Sequence, residues 1–142
     1  MIHLDDYTSQ IENFIQDSIT NFQQKYQMPN SVGIYCCPWS GWLTIHFNVK
    51  KVISETQNNC PDFEFVEFAY LDLEDWQQEY ERSHPTFKIA NTVIKYNHDL
   101  GVEPFNELIF GFLKPIINRL IKESNSTFLI QMLDSRYVEV IK

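Results

Sequence analysis

The chain has 142 residues, 44% of them apolar and 15% aromatic, with only four glycines, which excludes a disordered, collagen-like or linker-rich protein and suits one domain with its own core. The net charge is −8, and the excess acid is confined to the first part: residues 1 to 81 carry 13 Asp and Glu against 3 Lys and Arg, and the remainder 6 against 8. That balance argues against nucleic acid and against an anionic membrane surface, both of which are bound through Lys and Arg. It is compatible with a cationic protein surface.

No apolar run approaches the roughly 18 to 20 residues of a membrane span. The opening "MIHLDDYTSQIENF" lacks the basic start and apolar segment of a signal peptide, so a cytoplasmic location is expected. Three cysteines in that setting read as free buried thiols and not as a disulfide framework.

In chain order, residues 4 to 26 read as a helix. Leu4, Tyr7, Ile11, Phe14, Ile15, Phe22 and Tyr26 recur at spacings of three and four, with Asp5 and Asp6 placed to cap its start and "MPN" ending it. Residues 31 to 48 read as a hairpin about the turn Pro38–Gly41. Setting Cys37 opposite Trp42 pairs Cys36 with Leu43, Ile34 with Ile45 and Val32 with Phe47. These six share one face, and Tyr35, Cys37, Trp42, Thr44 and His46 share the other. A helix is expected to cover that second face.

Residues 49 to 61 read as a loop with a short element within it. "DFEFVEFAY", 62 to 70, reads as a third strand whose alternation slips near Val66, as at a bulge. "LDLEDWQQEYERSHP" reads as a short helix with Asp72 as its N-cap, a staple between Leu71 and Trp76, and Pro85 as its stop. Residues 87 to 100 fit either a helix, through Ile89, Val93, Tyr96 and Leu100, or a strand. Residues 104 to 124 read as the most apolar helix, with Pro104 near its start and a kink or break at Pro115. "TFLIQMLDSRYVEVIK" closes the chain as a hairpin with Asp134-Ser135 near its turn. The order implies a single α+β domain over residues 1–142. Its mostly antiparallel sheet is made of the first hairpin, the third strand and the C-terminal hairpin, packed with the N-terminal and central helices.

Chemistry-bearing motifs are few. Adjacent residues of a strand point to opposite faces, so Cys36 and Cys37 cannot converge on one metal or substrate. Their spacing matches no CxxC motif. His46 shares the Cys37 face but sits opposite Gly33, beyond easy reach of that thiol. A metal held by Cys37, His46 and Cys60 would need the 49–61 loop to fold back. His3, His84 and His98 are scattered. There is no G-x-S-x-G, glycine-rich phosphate loop or HExxH, so no residue is assigned a catalytic role and no cofactor is expected.

The densest feature is acidic: Asp62, Glu64, Glu67, Asp72, Glu74, Asp75, Glu79 and Glu81 fall within twenty residues without a Lys or Arg among them. Part of this run serves a helix start. The rest reads either as a solubility surface or as a docking surface for a basic protein, with Trp76, Tyr70 and Tyr80 as aromatic anchors. The contact candidates are Glu64, Glu67, Glu74, Trp76, Glu79 and Tyr80. The alternative site is the hairpin face with Tyr35, Cys37, Trp42 and His46, which would serve a small ligand or an enzyme. A structural homo-oligomer is the third reading.

The leading helix, the aromatic hairpin "SVGIYCCPWSGWLTIHFN" and the strand-to-helix stretch "FEFVEFAYLDLEDWQQEYE" resemble small acidic bacterial proteins, among them immunity proteins of polymorphic toxin systems. The resemblance spans most of the chain, rests on layout and charge, and transfers no individual residue. It implies a non-enzymatic intracellular protein that neutralises a toxin by binding it, often through acidic residues facing a cationic active site.

Overall fold

A computed structural model describes all residues, Met1–Lys142. Two sheets and three helices alternate along the chain as α+β. The larger sheet has the strand order β4-β3-β2-β7-β8, from Phe65–Asp72 (β4), Trp42–Asn48 (β3), Ser31–Cys37 (β2), Thr127–Met132 (β7) and Val138–Ile141 (β8). All its neighbours are antiparallel except β2 and β7, which run parallel and set the β7–β8 hairpin beside the central strand β2, with β8 at the edge.

The hairpin β2–β3 has the register its alternation implies: Cys37 faces Trp42, Cys36 Leu43, Ile34 Ile45 and Val32 Phe47. Pro38–Ser40 make one 3₁₀ turn, and Gly41 closes it at φ +70. A side chain at Gly41 would be strained there, and its Cβ would stand 2.5 Å from the Leu73 carbonyl.

The apolar face of this sheet carries Val32, Ile34, Cys36, Leu43, Ile45, Phe47, Phe128, Ile130 and Met132, all fully buried. Helices α1 (Thr8–Lys25) and α3 (Glu103–Ile121) contribute Ile11, Ile15, Phe22, Ile109, Leu113 and Ile116 to the same core. Phe22 stacks on Phe47 at 4.2 Å between ring centres. Each such buried side chain contributes on the order of 2 kcal/mol of transfer free energy.

The second sheet is small. Ile2–His3 (β1) runs parallel to Thr86–Ile89 (β5), which pairs antiparallel with Thr92–Lys95 (β6). Its Phe87 meets Phe105 of α3 at 4.5 Å, and Tyr80 of the short helix α2 (Glu74–Tyr80) stacks on the same Phe105. No helix is long and apolar enough to cross a membrane.

Several local expectations are corrected. The first helix begins as a 3₁₀ turn at Leu4–Tyr7, and Asp5 does not cap it: its carboxylate accepts the Ala90 N–H from the β5–β6 turn. Residues 87 to 100 form the β5–β6 hairpin and a 3₁₀ turn at His98–Leu100, so the strand alternative holds for the first part. Helix α3 runs unbroken through Pro115. Strand β4 extends to Asp72, and Leu73, not Asp72, is the N-cap of α2, although the Asp72 carboxylate accepts the Glu74 N–H. The bulge near Val66 is present: register shifts between Ile45 and Phe47 of β3, and Glu67 opposite takes φ +50.

Candidate functional site

The outer face of the large sheet is the one the hairpin alternation leaves polar and aromatic. A loop covers its lower half, in place of the expected helix. Ile53, Cys60 and Phe63 form a small core with Leu129 of β7, and Tyr35 and Val140 pack against it. Gly33 makes the close approach of this loop to the sheet workable, because a Cβ there would stand 2.8 Å from the Cys60 sulfur and 3.0 Å from the Phe63 ring.

Polar bonds fix the loop at both ends. The Glu64 carboxylate accepts the N–H groups of Val49, Lys50 and Lys51 at 2.7–2.9 Å. Burial pushes its carboxyl up, but these donors outweigh it and leave Glu64 below the usual carboxylate range. The Gln131 side chain, on the sheet beneath, accepts the Cys60 N–H and donates to the Asn59 side chain.

The upper half of the face is open. Across β4, β3 and β2, Asp72 faces Trp42, which faces Cys37; one step down, Tyr70 faces Thr44, which faces Tyr35. Tyr35 and Trp42 are half-buried and meet edge to face, 5.6 Å apart at 65°. Tyr70 is 59% exposed. Thr44 is buried between the two tyrosines, so a small side chain floors a space walled by rings.

The charge around these rings is of one sign. Burial raises the Tyr35 hydroxyl, and Asp134, the thiols of Cys60 and Cys37, and Glu67 raise it further. Burial and then Asp72 do the same to Tyr70. Asp72 thus stands beside Trp42 on this face, and Asp134 and Glu67 lie near enough to act on the Tyr35 hydroxyl. No Lys or Arg stands among the upper outer-face positions of the five strands.

The expected contact residues divide. Trp76, Tyr80 and Glu79 are 0%, 7% and 6% exposed, so burial, not a partner, occupies them. Trp76 meets Tyr7 and Phe112 edge to face, as α2 turns its apolar side to the core. Glu79 accepts the Arg82 guanidinium, the Thr86 N–H and the Met1 ammonium. Burial raises its carboxyl, yet those donors hold it below the usual carboxylate range. Glu64 is exposed, but its carboxylate is engaged by the loop. Glu74 is exposed at the start of α2, beside Tyr7 and Gln10. Only Glu67 lies at the open aromatic face.

The alternative set, Tyr35, Cys37, Trp42 and His46, does share that face, but as neighbours and not as a reactive group. His46 is 1% exposed. Its Nδ1 accepts the Glu67 N–H, so the ring proton is on Nε2, which donates to the Thr44 hydroxyl at 2.8 Å. Burial lowers the His46 pKa to about 4, so the imidazole is neutral near pH 7. Cys37 is fully buried, and burial raises its thiol although Ser40 draws it partly back. His46 pairs with Gly33 and Cys37 with Trp42, so imidazole and thiol do not meet. Cys60 does fold back over the sheet, yet no group of three His, Cys, Asp or Glu side chains is spaced to hold a metal ion.

Tyr70, Asp72 and Asp134 join the face without having been assigned to it. The signal for the first two is the alternation of β4 after its bulge, which places 70 and 72 on the side of Thr44 and Trp42. Asp134 lies in a turn, and nothing in its neighbourhood in sequence points to Tyr35. No protein-family model, curated protein or solved structure matches the chain.

Proposed function

We propose that the protein is a non-enzymatic binding protein whose open outer sheet face docks a cationic protein partner. The observation that carries this reading is the grouping of Trp42, Tyr35 and Tyr70 with Asp72, Asp134 and Glu67, on a face whose strand positions carry no Lys or Arg. Half-buried aromatic rings supply contact area at low entropic cost, and a Lys or Arg placed over them gains cation–π attraction. The carboxylates steer a basic partner and repel an acidic one. Like charge on two copies opposes self-association through this face. An immunity-type inhibitor, covering the cationic site of a toxin, is the concrete form of the reading, and the acidic composition and element order support it.

The test compares binding of the cationic protein retained at low salt by wild-type protein and by three variants. Trp42→Ala is expected to weaken affinity by about 2 kcal/mol, roughly thirtyfold. The pair Asp72→Lys and Asp134→Lys is expected to slow association and flatten its salt dependence. Glu74→Lys, away from the face, serves as the control. Equal loss in all three, or none in the first two, would remove the outer face as the docking site.

A further inference from the structure

At the end of the outer face away from Trp42, beyond the covering loop, lies a half-open cavity of about 610 Å³. Small-molecule sites commonly span roughly 300–1,000 Å³. Separate parts of the chain build its wall: the start of β2, the 52–58 turn of the loop, the turn into β7, and the end of β8. Strand register thus brings polar groups from distant positions to one place.

The chemistry of the lining is unusual for this protein. A chain of net charge −8 puts no Asp or Glu there, and the one ionised side chain is Lys142. Lys142 is exposed and takes part in none of the ion pairs. Asn30 and Ser31 use their side chains on the Val49 carbonyl and on each other. Exposed Ser54, Asn58 and Asn125 and half-buried Thr127 line the cavity with amides and hydroxyls. Val52, Ile53 and Val140 add apolar wall, and no aromatic ring contributes.

Backbone conformation keeps Asn58 at this wall. Gln57 and Asn58 both take left-handed φ, +57 and +52, which residues with a Cβ adopt rarely. Neighbours hold them so: the Val52 N–H bonds the Glu55 carboxylate, the Thr56 hydroxyl donates to the Ile53 carbonyl, and the Asn58 N–H reaches the same carbonyl. Two consecutive non-glycine residues in this region belong to an over-determined turn, of the kind found at ligand clamps.

We infer that this cavity is a second binding site, for a small hydroxylated anion of sugar-phosphate size. An ammonium and amide N–H groups suit a phosphate, which only accepts. Amides and hydroxyls both donate and accept, as sugar hydroxyls do. The valines and Ile53 fit the carbon skeleton, and the missing aromatic wall disfavours a nucleobase. The site is independent of the docking face and stands whether or not a protein partner binds there.

The test titrates the full chain with ribose 5-phosphate, ribose and inorganic phosphate at matched ionic strength, following backbone amide shifts and heat. Ribose 5-phosphate is expected to shift the amides of residues 53–58 and 125–127 saturably, and ribose to shift none. Lys142→Gln and Thr127→Val are each expected to weaken it about tenfold or more, one tenfold step being about 1.4 kcal/mol. Trp42→Ala is expected to leave it unchanged. Both substitutions at the cavity keep side-chain size, and unchanged spectra elsewhere will certify their fold. No saturable shift below about 10 mM, weaker than any affinity worth about 3 kcal/mol, would overturn the inference. So would shifts that inorganic phosphate reproduces equally, or that Lys142→Gln leaves intact.

Discussion

Gly33 lies directly beneath Cys60, with 2.8 Å between the position a Cβ would take and the Cys60 sulfur. The missing side chain is what lets the 49–64 loop sit on the sheet. Gly33→Ala is therefore expected to destabilise the fold by about 1–3 kcal/mol, as overpacking does. Chemical denaturation measures that loss. Faster alkylation of Cys60 in the native protein would show that the loop lifts; wild-type stability in the variant would refute the contact.

His46 makes stability depend on pH. Its folded pKa is near 4 against an ordinary 6.5, so the unfolded chain binds the proton more readily. The stabilisation is complete above pH 6.5 and is lost as pH falls toward 4, reaching about 3 kcal/mol at most. Glu64, Glu79 and Glu103, whose carboxyls are held below the ordinary 4.5, begin to lose theirs only as pH falls through that value. Denaturation between pH 7 and 5 should follow a single proton uptake, and His46→Asn should remove it. A pH-independent wild type across that window would contradict the buried neutral imidazole.

Glu79 separates structural from functional acid. Glu79→Gln keeps the shape but removes the charge that three donors share, and is expected to cost about 1–2 kcal/mol. Affinity for a cationic partner should be unchanged once the variant is folded. Asp72→Asn should behave the opposite way, with binding reduced and melting temperature nearly constant. Calorimetry and binding on the same samples distinguish the two.

All three cysteines are buried, and burial raises each thiol. Thiolate, the reactive form, is scarce at neutral pH. A disulfide-exchange reagent should label native protein slowly and three thiols at once after denaturation. Rapid labelling of Cys37 alone would restore the enzymatic alternative.

The parts of the fold that were legible share one property: local residues determine them. Alternation from Val32 to Phe47 and the turn Pro38–Gly41 specify the hairpin register without help from elsewhere. The slip at Val66 is legible because alternation breaks within a few residues. What was not legible depends on distant partners. Ile89, Val93 and Tyr96 satisfy a helical period and a strand equally, and only β1 beside β5 and Phe105 beneath Phe87 decide between them. Trp76, Glu79 and Tyr80 look like surface residues because acids surround them in sequence, yet those acids cap and pair while the rings fill the core. Asp134 reaches the aromatic face through the parallel pairing of β7 with β2, which no neighbouring residue announces.

That parallel pairing has a consequence for how the chain is made. Ser31 sits against Thr127 and Cys36 against Met132. While a ribosome is still adding the segment between them, β2 has one bare edge in the middle of what will be the sheet. The central layer closes only once β7 has emerged, far along the chain from β2. Contacts of such wide sequence separation make this a slow folder for its size. The nascent hairpin, apolar on one side and unpaired along β2, is the state that a holding chaperone would recognise.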